Sequence, residues 1–299
     1  MAEALTIETT ALRKTYDGVD ALQGLDLQVG PGSIFGFLGR NGAGKTTAIK
    51  VLLGMARPTS GHAHVFGLPC EQPDASVQIR RRIGFVSDDK DLYGSLTIEE
   101  MIGFTAGFFP RWRKDLEQRY LRSFELPLGR KVKALSRGTR TKLALLLAFC
   151  RDAELLILDE PTSGLDPVTT EDVLQTIVSH VADRNTTVFF SSHQIAEVEQ
   201  IADHVAIIDR GRIVVGGALD DLREQYCRVQ LVFDSDPPDA QFRSAGVKRV
   251  HRQGRVLSVL TSTGADAVIA EGTALGPRSV DVIPVTLKDI FLDTVAAEN

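Results

Sequence analysis

Only three cysteines occur in the 299 residues, and Cys70, Cys150 and Cys227 stand too far apart to share a metal. That excludes a disulfide framework and a zinc site, and predicts thiols buried as small hydrophobes in a reducing compartment. Long apolar runs are also missing. The longest, Leu143 to Cys150, falls well short of the ~20 residues needed to span a bilayer, so any membrane role is peripheral. The opening Met-Ala-Glu-Ala-Leu is acidic where a secretory leader would be basic, so no export is expected. Nor is there an excess of positive charge: 34 Lys and Arg against 39 Asp and Glu leave a formal net charge of -5. The chain has no overall electrostatic reason to seek nucleic acid or anionic lipid.

What is present is a globular composition, 43% hydrophobic and 24% charged, in a chain longer than one core usually supports. One large unit and one small unit are expected. From Leu5 to about Gly217 short apolar runs alternate with helical patterns, the rhythm of an α/β domain with buried strands. Four candidate strands end in polar residues. Ser33 to Leu38 leads into a glycine loop, Arg82 to Ser87 into acids, Leu155 to Leu158 into Asp159 and Glu160, and Thr187 to Ser192 into His193. Ligands bind at such carboxyl ends in open α/β sheets. The intervening residues, about 90–150, and above all Thr97 to Phe149, read as an inserted helical subdomain.

We therefore expect an α/β domain over 1–217, a helix or linker over 218–226 and a small α+β domain over 227–299. In the small domain the pattern predicts strands at Arg228 to Phe233, Val247 to Arg252, Val256 to Thr261 and Ser279 to Pro284. Gly254 sits in a hairpin turn and helices fall near Ala240 and Ala267, the order of a ferredoxin-like split βαβ unit.

Gly39-Arg-Asn41-Gly42-Ala-Gly44-Lys45-Thr46 fits the Walker A pattern of a P-loop NTPase, between a strand and a helix. Its glycines let backbone N–H groups turn onto phosphates, and the helix N-terminus adds positive potential there. Lys45 would reach the β and γ phosphates of ATP, Thr46 would place its hydroxyl on Mg²⁺, and Thr47 would add a phosphate contact. Downstream, Asp159 would support Mg²⁺ and Glu160 would polarise the attacking water.

This order of motifs resembles the nucleotide-binding subunit of ATP-binding cassette (ABC) transporters over about Leu5 to Gly217. The resemblance implies that Tyr16 stacks on adenine, and that His193 contacts the γ phosphate. Leu135-Ser136-Arg137-Gly138-Thr139 resembles the family's Leu-Ser-Gly-Gly-Gln signature, keeping Ser136 and Gly138 and departing at Arg137 and Thr139. Ser163-Gly-Leu-Asp166 resembles the loop whose aspartate couples the two sites of a dimer. Asp88, or Asp89 if the alignment slips by one, stands where most members carry a metal-binding glutamine.

In this family the signature of one copy closes over the Walker A of another. The resemblance thus implies a homodimer, or a pair with a paralogous ATPase. It also implies a separate transmembrane permease, with the chain cytoplasmic and peripheral on the inner face of the membrane. The permease groove is expected near Asp88 to Trp112, where Tyr93, Phe104, Phe108, Phe109 and Trp112 cluster; subdomain core is the competing reading of those rings. The tail Val285 to Leu292 and the segment Leu92 to Met101 resemble the exporter branch, which favours export over import. A soluble ABC ATPase acting on nucleic acid or ribosomes is the rival. Against it, the interval from Lys45 to Ser136 is too short for a long coiled coil, and only one cassette is present.

Overall fold

Alternating apolar and polar residues open the chain. β1 (Ile7–Tyr16) and β2 (Val19–Val29) pair antiparallel through Asp17 and Gly18, whose φ values of 47° and 83° suit a tight hairpin turn. In the computed structural model, which describes residues 4–295, one unit ends at Ile213 and a second begins at Val214. Residues 1–3 of the acidic opening lie outside the described residues.

The first unit continues through β3 (Ile34–Gly39), α1 (Lys45–Leu52), β4 (Ser60–Val65), β5 (Leu68–Pro69), α2 (Pro73–Arg82) and β6 (Ile83–Val86). Then come α3 (Ile98–Ala106), α4 (Lys114–Ser123) and α5 (Arg137–Phe149), followed by β7 (Leu155–Asp159), α6 (Pro167–Arg184), β8 (Thr187–Ser192), α7 (Ile195–Ile201) and β9 (His204–Asp209). β10 (Arg212–Ala218) begins in this unit. β2, β1, β4 and β5 form one sheet, and a second has the order β10-β9-β3-β8-β7-β6. In the second sheet β3 runs parallel to β8 and β9, and β7 runs parallel to β6 and β8. Every residue of β3, β7 and β8 is buried, which is why these strands read as continuous apolar runs. Parallel alignment brings the carboxyl ends of β3, β6, β7 and β8 to one edge.

Close packing fixes β6 under α5. A Cβ on Gly84 would lie 2.6 Å from Leu156 Cδ2 and 2.8 Å from the carbonyl oxygen of Ala148. Backbone cannot give way there, so Gly84→Ala is expected to cost about 1–3 kcal/mol, read from the urea midpoint. An unchanged midpoint would show that the strand has slack. The helices after β6 are set by local chemistry: Thr97 and Glu100 form a capping box on α3, and Ser136 caps α5 through Thr139 N–H. Tyr120 of α4 pins the group to α6, its hydroxyl 2.9 Å from His180 Nδ1. Burial lowers His180 to about 4, so the pair holds a neutral imidazole.

In the second unit α8 (Leu219–Gln225) precedes β11 (Cys227–Val232), β12 (Val247–Gln253), β13 (Val256–Thr261), α9 (Ala265–Thr273), β14 (Ser279–Pro284) and α10 (Leu287–Val295). The antiparallel sheet has the order β12-β13-β11-β14, and Val229, Leu231, Leu257 and Val259 meet Val268 of α9 in its core. Gly254, at φ 56°, turns the β12–β13 hairpin. The strand order is that of a split βαβ unit, but the helix expected near Ala240 is not formed. Residues 234–243 are irregular because Pro237 and Pro238 withdraw N–H groups and push the preceding residues out of helical space. Ala240 and Phe242 still pack on the core from this loop. The exporter-like tail forms α10, where Thr286 and Asp289 cap one another at 2.9 and 3.2 Å.

Candidate active site

The loop between β3 and α1 owes its shape to backbone that side chains would obstruct. Gly44 caps α1 at φ 112°, and a Cβ there would meet the Ala21 carbonyl oxygen at 2.6 Å. A Cβ on Gly39 would meet the Ile208 carbonyl oxygen, also at 2.6 Å. Asn41 and Gly42 form the exposed crest, Gly42 with φ 82°. Thr46 and Thr47 sit in the first turn of α1, Thr46 exposed and Thr47 half-buried.

Lys45 folds inward and is buried. Its Nζ donates to the carbonyls of Gly39 and Arg40 at 2.6 and 3.3 Å and pairs with Glu160 Oε1 at 3.1 Å. The other oxygen, Glu160 Oε2, lies 2.7 Å from His193 Nδ1. A carboxylate can only accept, so the imidazole carries its proton on that nitrogen. One carboxylate therefore stands between the loop lysine and the histidine at the end of β8.

Asp159, just before it, is buried, accepts from Ser191 Oγ at 2.6 Å and lies close to the Thr46 hydroxyl. Burial raises its pKa, the two hydroxyls oppose that rise, and neighbouring Glu160 and Asp88 reinforce it. A buried acid crowded by acids and touching Thr46 is an oxygen-only donor set, and it fits a hard divalent cation. No cluster of three His, Cys, Asp or Glu suited to a metal occurs among the described residues. A cation here would need oxygens from outside the chain as well.

Three residues of this site went unread in the sequence. Ser191 holds Asp159 and also accepts the N–H of Glu160 at 3.1 Å. Glu197, buried on α7, accepts from Thr162 and Ser192 at 2.7 and 2.8 Å and so fixes the strand end that carries His193. Lys90 donates to the Glu160 carbonyl at 2.9 Å. Its only signal was a lysine set among Asp88, Asp89 and Asp91.

The remaining predicted residues lie elsewhere on the unit. Ser136, Gly138 and Asp166 line a cleft of about 400 Å³ with Gly164 and Thr169. Asp166 caps α6 by accepting from Thr169 N–H at 3.0 Å, which holds its carboxyl below the usual range. Asp88 pairs with Arg137 at 3.7 Å and with Lys90 at 3.9 Å, whereas Asp89 is exposed. Tyr16 ends β1 half-exposed, with Lys14 Nζ 4.5 Å from its ring centroid. The aromatic group divides. Tyr93, Phe104 and Phe108 are exposed and meet edge to face at 5.3 and 5.1 Å. Phe109 instead lies under Arg151, and Trp112 donates to Glu117.

Residues 22–163 match the family model described as ABC transporter. The bacitracin transport ATP-binding protein BcrA of Bacillus licheniformis is 34% identical over 281 residues, covering 88% of this chain and 91% of BcrA. The daunorubicin/doxorubicin resistance ATP-binding protein DrrA of Streptomyces peucetius is 37% identical over 224 residues, covering 73% of this chain and 66% of DrrA. A solved ATP-binding subunit of an ABC transporter superposes with a TM-score of 0.66 at 29% identity, over 74% of this chain and 92% of that one. With a P-loop, a buried acid pair and a histidine gathered at one sheet edge, the chain belongs to the ABC transporter family, as one of its ATP-binding ATPase subunits.

Proposed function

We propose that this ATPase works as an ATP-clamped dimer that drives a separate permease, with Glu160 as the general base. The observation that carries the reading is the placement of the Glu160 carboxylate between Lys45 and His193. Phosphate oxygens and Glu160 compete for one ammonium. A bound triphosphate draws Lys45 away, and Oε1, freed of that ion pair, can take a proton from water. That water attacks the γ phosphorus as the bond to ADP breaks, and the proton remains on Glu160. His193 would steady the carboxylate and contact the γ phosphate. Thr46, Asp159 and Asp88 would hold Mg²⁺, which offsets phosphate charge when bound.

Ser136 and Gly138, at the N-terminus of the 13-residue α5, supply N–H groups and a dipole suited to the phosphate of a partner copy. Tyr93, Phe104 and Phe108 form an exposed aromatic patch suited to a permease segment. No helix among the described residues is long and apolar enough to cross a membrane, which fits a division of labour with a separate membrane subunit. The relatives named for bacitracin transport and for daunorubicin/doxorubicin resistance favour export.

Light scattering tests the dimer. Glu160→Gln with Mg-ATP is expected to double in mass, and adding Ser136→Glu, which sets an anion against the partner's phosphate, should restore the monomer. A monomer under both conditions would overturn the clamp.

A further inference from the structure

The loop after β6 departs from the family pattern at Asp88, the signature departs at Arg137, and the two departures meet. Between Asp88 and the catalytic centre stands Lys90. It is 4% exposed, and its Nζ donates to the main-chain carbonyl of Glu160 at 2.9 Å. Asp88 Oδ1 lies 3.9 Å from that Nζ and 3.7 Å from an Arg137 nitrogen. Arg137 closes the circuit by donating to Ser163 Oγ at 3.2 Å, in the loop that follows Glu160.

Glu160 needs such support. Its φ of 48° is left-handed, a conformation that strains a residue with a Cβ and persists only where the surroundings impose it. Its N–H is held by Ser191, and its carbonyl accepts from Lys90 and from Ser163 N–H. Removal of one hold lets the peptide plane turn, and the carboxylate at the end of the side chain turns with it. Lys90 is also an expensive way to fill space, because a buried ammonium is stabilised only where partners offset its lost hydration. An apolar side chain would pack there without that cost. Its hydrogen bond goes to a carbonyl, leaving the Glu160 carboxylate free for chemistry.

We propose that Lys90 is a positioning residue for hydrolysis: its buried ammonium clamps the Glu160 carbonyl and so aims the Glu160 carboxylate at the attacking water. The proposal rests on Glu160 as the general base, and the experiment separates the two ideas.

Steady-state ATP hydrolysis is measured for wild type, Lys90→Met, Lys90→Arg, Glu160→Gln and the Lys90→Met/Glu160→Gln pair. Lys90→Met should lower kcat about ten- to thirty-fold, with KM for ATP changed less than about two-fold, because aim is lost and binding is not. Lys90→Arg should recover much of the loss. In the Glu160→Gln background, Lys90→Met should change the residual rate by less than about two-fold, since it acts through Glu160. Wild-type turnover in Glu160→Gln would remove the base itself. A slow Glu160→Gln beside a wild-type-like Lys90→Met would overturn the clamp alone. Parallel changes in kcat and KM without rescue by arginine would also overturn it, leaving a packing role. Should Lys90→Met not fold, Lys90→Gln takes its place. A kcat order of Lys, Arg, Gln at constant KM supports the clamp, and equal kcat values overturn it.

Discussion

Lys45→Ala is expected to weaken ATP binding by about 30- to 5000-fold, the range for removing one partner of a desolvated charge pair. The ammonium is buried and held by the Gly39 and Arg40 carbonyls of the loop itself, so it stands beside the phosphate cradle and exchanges Glu160 for phosphate when ATP binds. Alanine removes the ammonium that pairs with the Glu160 carboxylate. A melting curve is therefore needed beside the binding measurement, because the buried carboxylate loses a partner as well. Equilibrium titration with a fluorescent ATP analogue reads the effect. Undiminished affinity in a folded variant would remove the P-loop assignment and everything built on it.

Glu160→Gln is expected to leave ATP bound while phosphate release slows by about 10²- to 10⁴-fold, the usual contribution of a general base. An amide keeps the size of the side chain and its place between Lys45 and His193, but it cannot take a proton. It also removes a negative charge near the phosphates, so affinity should hold or rise. A phosphate-release assay at saturating ATP decides the matter. Rates equal to wild type would show that another group activates the water.

Much of this site could be read in the residues themselves, for identifiable reasons. The glycines at 39, 42 and 44 report backbone shapes that other residues resist, and those shapes lie next to each other in the chain. Thr97 with Glu100, and Ser136 with the N–H of Thr139, are bonds across one helical turn. The buried parallel strands announce themselves as apolar runs ending in acids or a histidine. No helix forms near Ala240 because its apolar residues reach the core from a loop that Pro237 and Pro238 keep out of helical space. Phe109 and Trp112 could not be told from Tyr93, Phe104 and Phe108, since all fall close together in residues 90–150, read as one helical subdomain. Only packing separates those that turn inward from those left exposed.

Local backbone preference and hydrophobic period thus determined the loop and the strand ends at which Lys45, Asp159, Glu160 and His193 stand. Tertiary structure alone decided what touches Glu160: Lys90 from a loop 70 residues away, Ser191 from the neighbouring strand, and Arg137 meeting Asp88 behind them. The physical reason is range. Dihedral preferences and caps act over a few residues, whereas contacts among distant side chains depend on the order in which strands enter the sheet, and that order follows from burying the whole core at once.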